Sequence, residues 1–368
     1  MVVCLSITTC LPLALRFLLE HYRRGLTRRA EATPLVLGRR GSRFDLAMSA
    51  LYFKTDLSDE ITMGDCRAIG ADGRARSIAL LARYTAKGIP VVGVEADYFG
   101  FRALRAAAGS LPLQLGDAVI GSTAATTLGL GPGDTIITDR TELYNLAAEY
   151  PLRLSICGVL AQTGTSDDQA IFVDIKTAWV MAGIGHGHDD LAETGTDREI
   201  LDTRDDNIVG SSAVRTFITI TPENIASFHF HADEASRPVT CALVIASSER
   251  NDDILKARYL QHDHLQLITP PTIVNDLMTT IFRLETMVQV SFALTLSATL
   301  LLLGLIALLS ARLRQRELDT LRCIGCSRAF IAGALIAEWV AIFCTGLLLS
   351  LALVALATAL APHVDSFL

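Results

Sequence analysis

The stretch from Thr286 to Ala311, TMVQVSFALTLSATLLLLGLIALLSA, runs for 26 residues without an Asp, Glu, Lys, Arg or His. A helix needs about 20 predominantly apolar residues to cross the hydrocarbon of a bilayer. A second uncharged run, Trp339 to Pro362, covers 24 residues. A buried helix of a soluble protein is the ordinary alternative for one such run. Two runs rich in Leu and Ala, close together in the sequence, point instead to a membrane protein.

Working outward, Met1 to Leu15 is also uncharged, and Arg16 interrupts it before Phe17, Leu18 and Leu19. A cleaved signal peptide has a basic residue before its apolar run and an A-x-A pattern after it, and neither is present. Residues 1–19 are therefore read as a first spanning helix. Between the apolar ends, residues 20–285 carry 35 acids and 26 bases, a net charge of −9 within a chain of 368 residues and net charge −7. With 51% hydrophobic residues overall, this composition excludes disorder and a polybasic nucleic-acid binder. The middle is long enough for one large or two small domains.

Orientation follows from the short loop. Arg312, Arg314, Arg316, Arg322 and Arg328 crowd the connection between the two long runs, and the positive-inside bias acts on short loops, whereas long domains translocate largely regardless of charge. The Arg-rich connection is thus expected in the cytoplasm and residues 20–285 outside it. Cys66, Cys157 and Cys241 would allow one disulfide and one free thiol there.

Within the middle region, Glu20 to Ala32 reads as a helix continuing from the first span until Pro34 stops it. Pro90–Val94, Ala118–Gly121, Asp134–Thr138, Arg153–Leu160, Ala170–Val173, Phe217–Ile220 and Val239–Ile245 read as strands, being short β-branched or alternating runs between Gly and Pro. Thr123–Leu128, Lys176–Met181 and Asn275–Glu285 read as helices, the last leading into residues 286–311. The expected fold is an α+β extracytoplasmic domain flanked by transmembrane α-helices. An acidic polar passage, Asp189 to Asp206, reads as a solvated excursion or subdomain boundary.

The cytoplasmic connection reads Arg312-Leu313-Arg314-Gln315-Arg316-Glu317-Leu318-Asp319-Thr320-Leu321-Arg322-Cys323-Ile324-Gly325-Cys326-Ser327-Arg328. Leu318, Leu321 and Ile324 fall at helical spacing and make an apolar stripe among Arg and Glu side chains. On periodicity alone this is either an interfacial anchor or a docking helix. The segment, with the early Glu338 in the following span, resembles that of the FtsX/MacB-type permeases of ABC transporters. Asp97-Tyr98-Phe99, the stretch Gly116 to Ile136, Cys157-Gly158-Val159-Leu160 and Gly164-Thr165 resemble the periplasmic core of the same family.

That resemblance implies a non-catalytic permease subunit in a bacterial inner membrane, with residues 312–328 as a coupling segment and 329–362 as a third span before a tail of 363–368. It implies that Arg316, Glu317, Leu318, Leu321, Arg322 and Gly325 contact a cytoplasmic ABC ATPase, and that the permease forms a homodimer or a permease pair. ATP hydrolysis would drive motion of the outer domain, for export or lipoprotein release. The sequence contains no G-x-x-x-x-G-K-[ST], so ATP is expected to act through the partner. The family usually has four spans, and the fourth is missing from the residues read here, through truncation or by design; a truncated remnant is thus an alternative reading.

Six of the eight histidines form three H-x-H pairs: His186/His188, His229/His231 and His262/His264. Positions i and i+2 share one face of a strand, so each pair could ligate Zn²⁺ or Cu²⁺ or simply be solvated surface. His186, His188 and Asp189, in a polar glycine-rich segment, are the first candidates. A membrane-anchored metal-binding or sensing protein is the alternative function they would support. Glu338 is the one charge in the third apolar region; it is read as structural for the transmission path and, lying near the cytoplasmic end, could snorkel or pair with an Arg of the preceding segment.

Overall fold

The computed structural model describes residues 2–53, 60–112, 114–139, 151–187, 200–204, 207–210, 218–230 and 233–364. Two compact units result: residues 27–274 form one, and residues 1–26 with 275–368 form the other.

Along the chain α1 (Val2–Glu31) precedes β1 (Leu35–Arg39), α2 (Arg43–Tyr52) and α3 (Met63–Gly70). Then come β2 (Ala75–Ala86), β3 (Ile89–Val94), α4 (Asp97–Phe101), β4 (Ala106–Gly109), β5 (Asp117–Ile120) and α5 (Ser122–Leu128). They are followed by β6 (Thr135–Ile137), β7 (Arg153–Leu160), β8 (Ile171–Asp174), α6 (Ile175–Met181), β9 (Cys241–Ala246), α7 (Glu249–Leu260) and β10 (Leu265–Ile268). Three helices close the chain: α8 (Pro270–Leu313), α9 (Gln315–Cys323) and α10 (Arg328–Val364).

The ten strands make one mixed sheet in the order β10-β1-β9-β2-β3-β8-β5-β7-β4, with β6 pairing beside β4 on β7. Only the β3–β8 and β5–β7 pairs are parallel. Lys87 and Gly88 turn β2 into β3 with positive φ of 51° and 76°, the signature of a primed hairpin turn whose twist suits the flanking strands.

Both faces of the sheet are covered, and the alternation of β1 shows how. Leu35 and Leu37 join the core formed with Ile69 of α3, Ala178 and Trp179 of α6 and Leu255 of α7. Val36 joins the core on the other face, with Leu46 and Ala50 of α2 and Tyr98 of α4. Gly93 on β3 permits the close seat of α6, since a Cβ there would stand 2.4 Å from that of Ala178. Cys66 lies in the first core and Cys241 in the second, and Cys66, Cys157 and Cys241 are all free thiols. The disulfide allowed by the cysteine count therefore does not form. Burial pushes the Cys241 thiol up to about 12, which leaves it chemically inert.

Most expected elements form within a residue or two of their expected bounds. Of the expected strand Phe217–Ile220, Phe217 lies outside the described residues, and the rest makes an isolated bridge between Thr219 and Arg153. Val239 pairs with Ile61 in a small separate ladder, so the expected strand Val239–Ile245 is split at Thr240. Ile200–Arg204, within the acidic passage, pairs antiparallel with Asn207–Gly210 just beyond it. The 12-residue β2, which no expectation covered, is central to the sheet.

In the other unit, Thr286–Leu313 and Arg328–Leu356 are long and apolar enough to cross a membrane, and only 6% and 11% of their most apolar windows are buried. Leu301, Leu308 and Leu348 stand outward at 76%, 68% and 66% exposure, as side chains facing lipid do. The 44 residues of α8 extend about 66 Å at 1.5 Å per residue, more than twice the hydrocarbon thickness of about 30 Å. Ser6 of α1 is buried, and its Oγ donates to the carbonyl of Gly346 on α10 at 3.0 Å, placing the N-terminal helix against that spanning helix.

Candidate functional site

The connection between the two long apolar helices is itself helical. Arg314 ends α8 and opens α9, with Nε 3.4 Å from Glu317 and Nη1 3.1 Å from Glu338 of α10. Of the two alternatives for Glu338, snorkelling or pairing with a preceding Arg, this contact with Arg314 is the second. It lies beside a cleft of about 310 Å³ lined by Ser310, Leu335, Glu338 and Trp339.

Around α9 the polar side chains pair locally, Arg322 lying 3.5 Å from Asp319. Leu318 is half-buried, while Leu321 and Ile324 are exposed. Gly325 takes a φ of +100°, a left-handed conformation that costs a Cβ-bearing residue energy. Its amide donates to the carbonyl of Arg322 at 3.0 Å, and that of Cys326 to Leu321 at 3.1 Å, closing the helix. Ser327 then caps α10 by accepting from the amide of Phe330 at 3.2 Å. The candidate residues thus sit together on one short helix and its C-terminal turn.

A second constellation, not singled out in the sequence, lies in the unit of residues 27–274. Arg29, in the last turn of α1, is 4% exposed. Its guanidinium makes a fork with Asp167: Nη1 to Oδ2, and Nη2 to Oδ1 at 2.8 Å. Nη2 also donates to the Tyr98 hydroxyl at 3.0 Å, and Tyr98 donates to Asp167 Oδ1 at 2.8 Å. Nε reaches the carbonyl of Leu51 at 3.3 Å.

Burial opposes the charge on Arg29, but Tyr98 and Asp167 outweigh it and hold the pKa above its ordinary value. Burial likewise raises the Tyr98 hydroxyl, which therefore stays protonated and able to donate. Arg102, pushed down by burial and by Arg29, stacks on Phe101 and donates to Thr33 at 2.8 Å. The turn that carries Asp167 is built by Thr165, whose Oγ1 donates to Asp167 at 3.0 Å, and by the amide of Gly164, which donates to Asp168 at 2.7 Å. Gly121 lies beneath it, where a Cβ would stand 2.3 Å from the Asp167 carbonyl oxygen. Tyr98, from one resembling stretch, bonds the buried guanidinium directly, while Gly121 and Gly164-Thr165, from others, shape the turn that presents Asp167 to it.

Among the histidines, His186 stands directly opposite His229 in a small antiparallel ladder, with ring centroids 4.8 Å apart. His188 and Asp189 lie outside the described residues. Among the described residues, no group of three or more His, Cys, Asp or Glu could hold a metal ion.

The MacB-like periplasmic core domain family matches residues 37–220, half of the chain, and the FtsX-like permease C-terminal family matches residues 289–367. Among solved structures, the periplasmic region of MacB from Actinobacillus actinomycetemcomitans is 8% identical at a TM-score of 0.38, covering 67% of this chain and 92% of that one. The extracellular domain of the noncanonic ABC-type transporter YknZ from Gram-positive bacteria is 10% identical at a TM-score of 0.33, covering 64% and 98%. A domain of a putative permease protein from Porphyromonas gingivalis is 10% identical at a TM-score of 0.29, covering 64% and 88%. No curated protein sequence matches the chain. FtsX-like permeases are typically non-catalytic transmembrane subunits that pair with ABC ATPases. With an α/β core of the periplasmic type and two helices fit to span a membrane, the chain belongs to the FtsX-like permeases that carry a MacB-like periplasmic core domain.

Proposed function

We propose that the chain is a permease subunit in a bacterial inner membrane, coupling ATP hydrolysis by a separate cytoplasmic ABC ATPase to motion of its periplasmic domain. The observation that carries this reading is α9: a charged helix between two spanning helices that leaves Leu321 and Ile324 exposed at 40% and 75%. Apolar side chains left in water on so polar a helix are suited to a protein partner.

Arg316, Glu317, Leu318, Leu321, Arg322 and Gly325 would meet the ATPase. Arg314 and Glu338 would carry a displacement of α9 into α8 and α10. At the other end, Arg29 would hold the last turn of α1 to the periplasmic core, with residues 1–19 as a further span. Homodimerisation would supply two coupling helices for a pair of nucleotide-binding subunits, and the output would be export or lipoprotein release.

The test is co-purification of the membrane-expressed chain with its ATPase. The double substitution Leu318→Asp/Leu321→Asp is expected to abolish capture while the periplasmic domain keeps its protease resistance. Undiminished capture by a folded double variant would remove α9 from the docking role.

A further inference from the structure

We propose that the cleft between α8 and α10, at the end of the spans that carries α9, holds a zwitterionic phospholipid with a primary-ammonium headgroup. The proposal requires that α8 and α10 span a membrane, and it does not rest on α9 docking an ATPase.

Depth is the first argument. Thr286 to Ala311 gives 26 uncharged residues and Trp339 to Pro362 gives 24, about 39 Å and about 36 Å of helix at 1.5 Å per residue. Each exceeds the hydrocarbon thickness of about 30 Å. Arg314 follows the first run and Glu338 precedes the second, and their contact at 3.1 Å sets the two helices level at that point. The pair therefore stands at the headgroup layer. Trp339, next to Glu338, belongs there too, since Trp is enriched where membrane meets water.

The cleft beside this pair has mostly apolar walls. Ala307, Ser310 and Ala311 of α8 line one side, and Leu335, Trp339 and Ile342 of α10 line the other together with Glu338. Both sets recur at three- and four-residue spacing, so each wall is one helix face. Its volume of about 310 Å³ is at the lower end of the range of about 300–1,000 Å³ for ligand sites. That is room for a headgroup and the first part of a chain rather than for a whole lipid.

Charge selects the headgroup. Among the described residues, the ion pairs of this segment join Arg314 to Glu317 and Glu338, and Arg322 to Asp319. One guanidinium thus faces two carboxylates, which leaves an excess of negative charge beside the cleft. The Glu338 side chain is 53% exposed, and Oε2 is the oxygen that takes Arg314. A carboxylate offers about four lone-pair sites, so an ammonium group can share it, whereas a trimethylated amine has no N–H to give. Arg312 and Arg316, two positions either side of Arg314, are exposed and stand outside these ion pairs. They supply the cations that lipid phosphate attracts at this depth. A lipid that carries both charges meets both kinds of group; an anionic lipid meets the arginines alone and is repelled by Glu338.

Trp339 lines the cleft and reports on it directly. The full-length chain would be reconstituted into bilayers in which brominated phosphatidylethanolamine, phosphatidylcholine or phosphatidylglycerol replaces the same fraction of unbrominated lipid, and fluorescence quenching recorded. Trp179, the other tryptophan of the chain, is fully buried in the unit of residues 27–274 and supplies a constant background, which Trp339→Phe measures. We expect brominated phosphatidylethanolamine to quench Trp339 with a relative binding constant about two- to fivefold above the other two, as one charge contact at a wet boundary gives. Glu338→Gln should bring the three lipids level, whereas Asp319→Asn should keep the preference. The proposal is overturned by equal quenching from all three lipids in the unsubstituted chain, by stronger quenching from phosphatidylglycerol, or by no quenching of Trp339, as when a protein segment fills the cleft. An undiminished preference in Glu338→Gln would overturn it as well. The unsubstituted chain is read independently of any variant, so misfolding of one substitution leaves the test intact.

Discussion

Arg29 and Asp167 are charged side chains at 4% and 1% exposure, and such a pair tolerates the loss of one member poorly. An uncompensated buried charge costs about 3–5 kcal/mol, whereas replacing both members by apolar groups of similar volume is often close to neutral. Arg29→Met should therefore lower the stability of the periplasmic unit by about that amount in denaturant unfolding, and Arg29→Met/Asp167→Leu should recover most of it. If the double variant is as unstable as the single one, the ion pair is not the source of the loss. A titrating group offers a second test. Glu95 is partly buried, and burial raises its pKa despite the amide of Ala79 donating to it at 2.7 Å. The native state thus binds its proton more tightly than the unfolded chain. Stability from this group is full below the ordinary carboxylate pKa and is lost as pH rises through the native value. Glu95→Gln, which keeps the acceptor, should shrink the stability lost as pH rises above the ordinary carboxylate range of about 4, as read from unfolding midpoints at each pH.

At the scale of elements, the turn that presents Asp167 depends on the glycine under it. Gly121→Ala places a methyl within 2.5 Å of backbone atoms of both Asp167 and Asp168, and backbone cannot swing aside as a side-chain tip can. The turn must shift, at a cost of about 1–3 kcal/mol for overpacking. Faster amide exchange at Asp168 and Ala170, together with a lowered melting temperature, is the expected readout; native exchange there would mean that the turn does not rest on Gly121. Elements with a strong local signature were legible in the sequence. The long uncharged helices, the amphipathic stripe of α9 and the alternating β7 announce their period directly. By contrast, β2 carries Arg76 and Arg83 and passes from one buried face to both, so its run of Ala75–Ala86 lacks a clean alternation. Residues 218–220 show the converse: a β-branched pattern of which, among the described residues, only Thr219 bridges to β7, at Arg153.

For the molecule as a whole, the membrane class, the α+β character and the kinship with FtsX-like permeases were readable from composition and motif spacing. These properties sum over many residues or lie within one contiguous segment, so no long-range contact is needed to see them. The helix α9 belongs to the same group, because its candidate residues span only Arg316 to Gly325. The buried guanidinium does not. Arg29 is one of several arginines after the first apolar run, and 138 positions separate it from Asp167. No local spacing marks it, and only folding of the sheet brings α1, α4 and the Asp167 turn to one point. The histidines divide in the same way. The sequence shows H-x-H pairs and supports grouping neighbours such as His186 and His188, whereas the ladder sets His186 against His229, 43 residues away in the sequence. Period and charge act between near neighbours on the chain; burial of a charge and the meeting of two rings are set by which distant strands hydrogen-bond, and that pairing is a property of the assembled sheet.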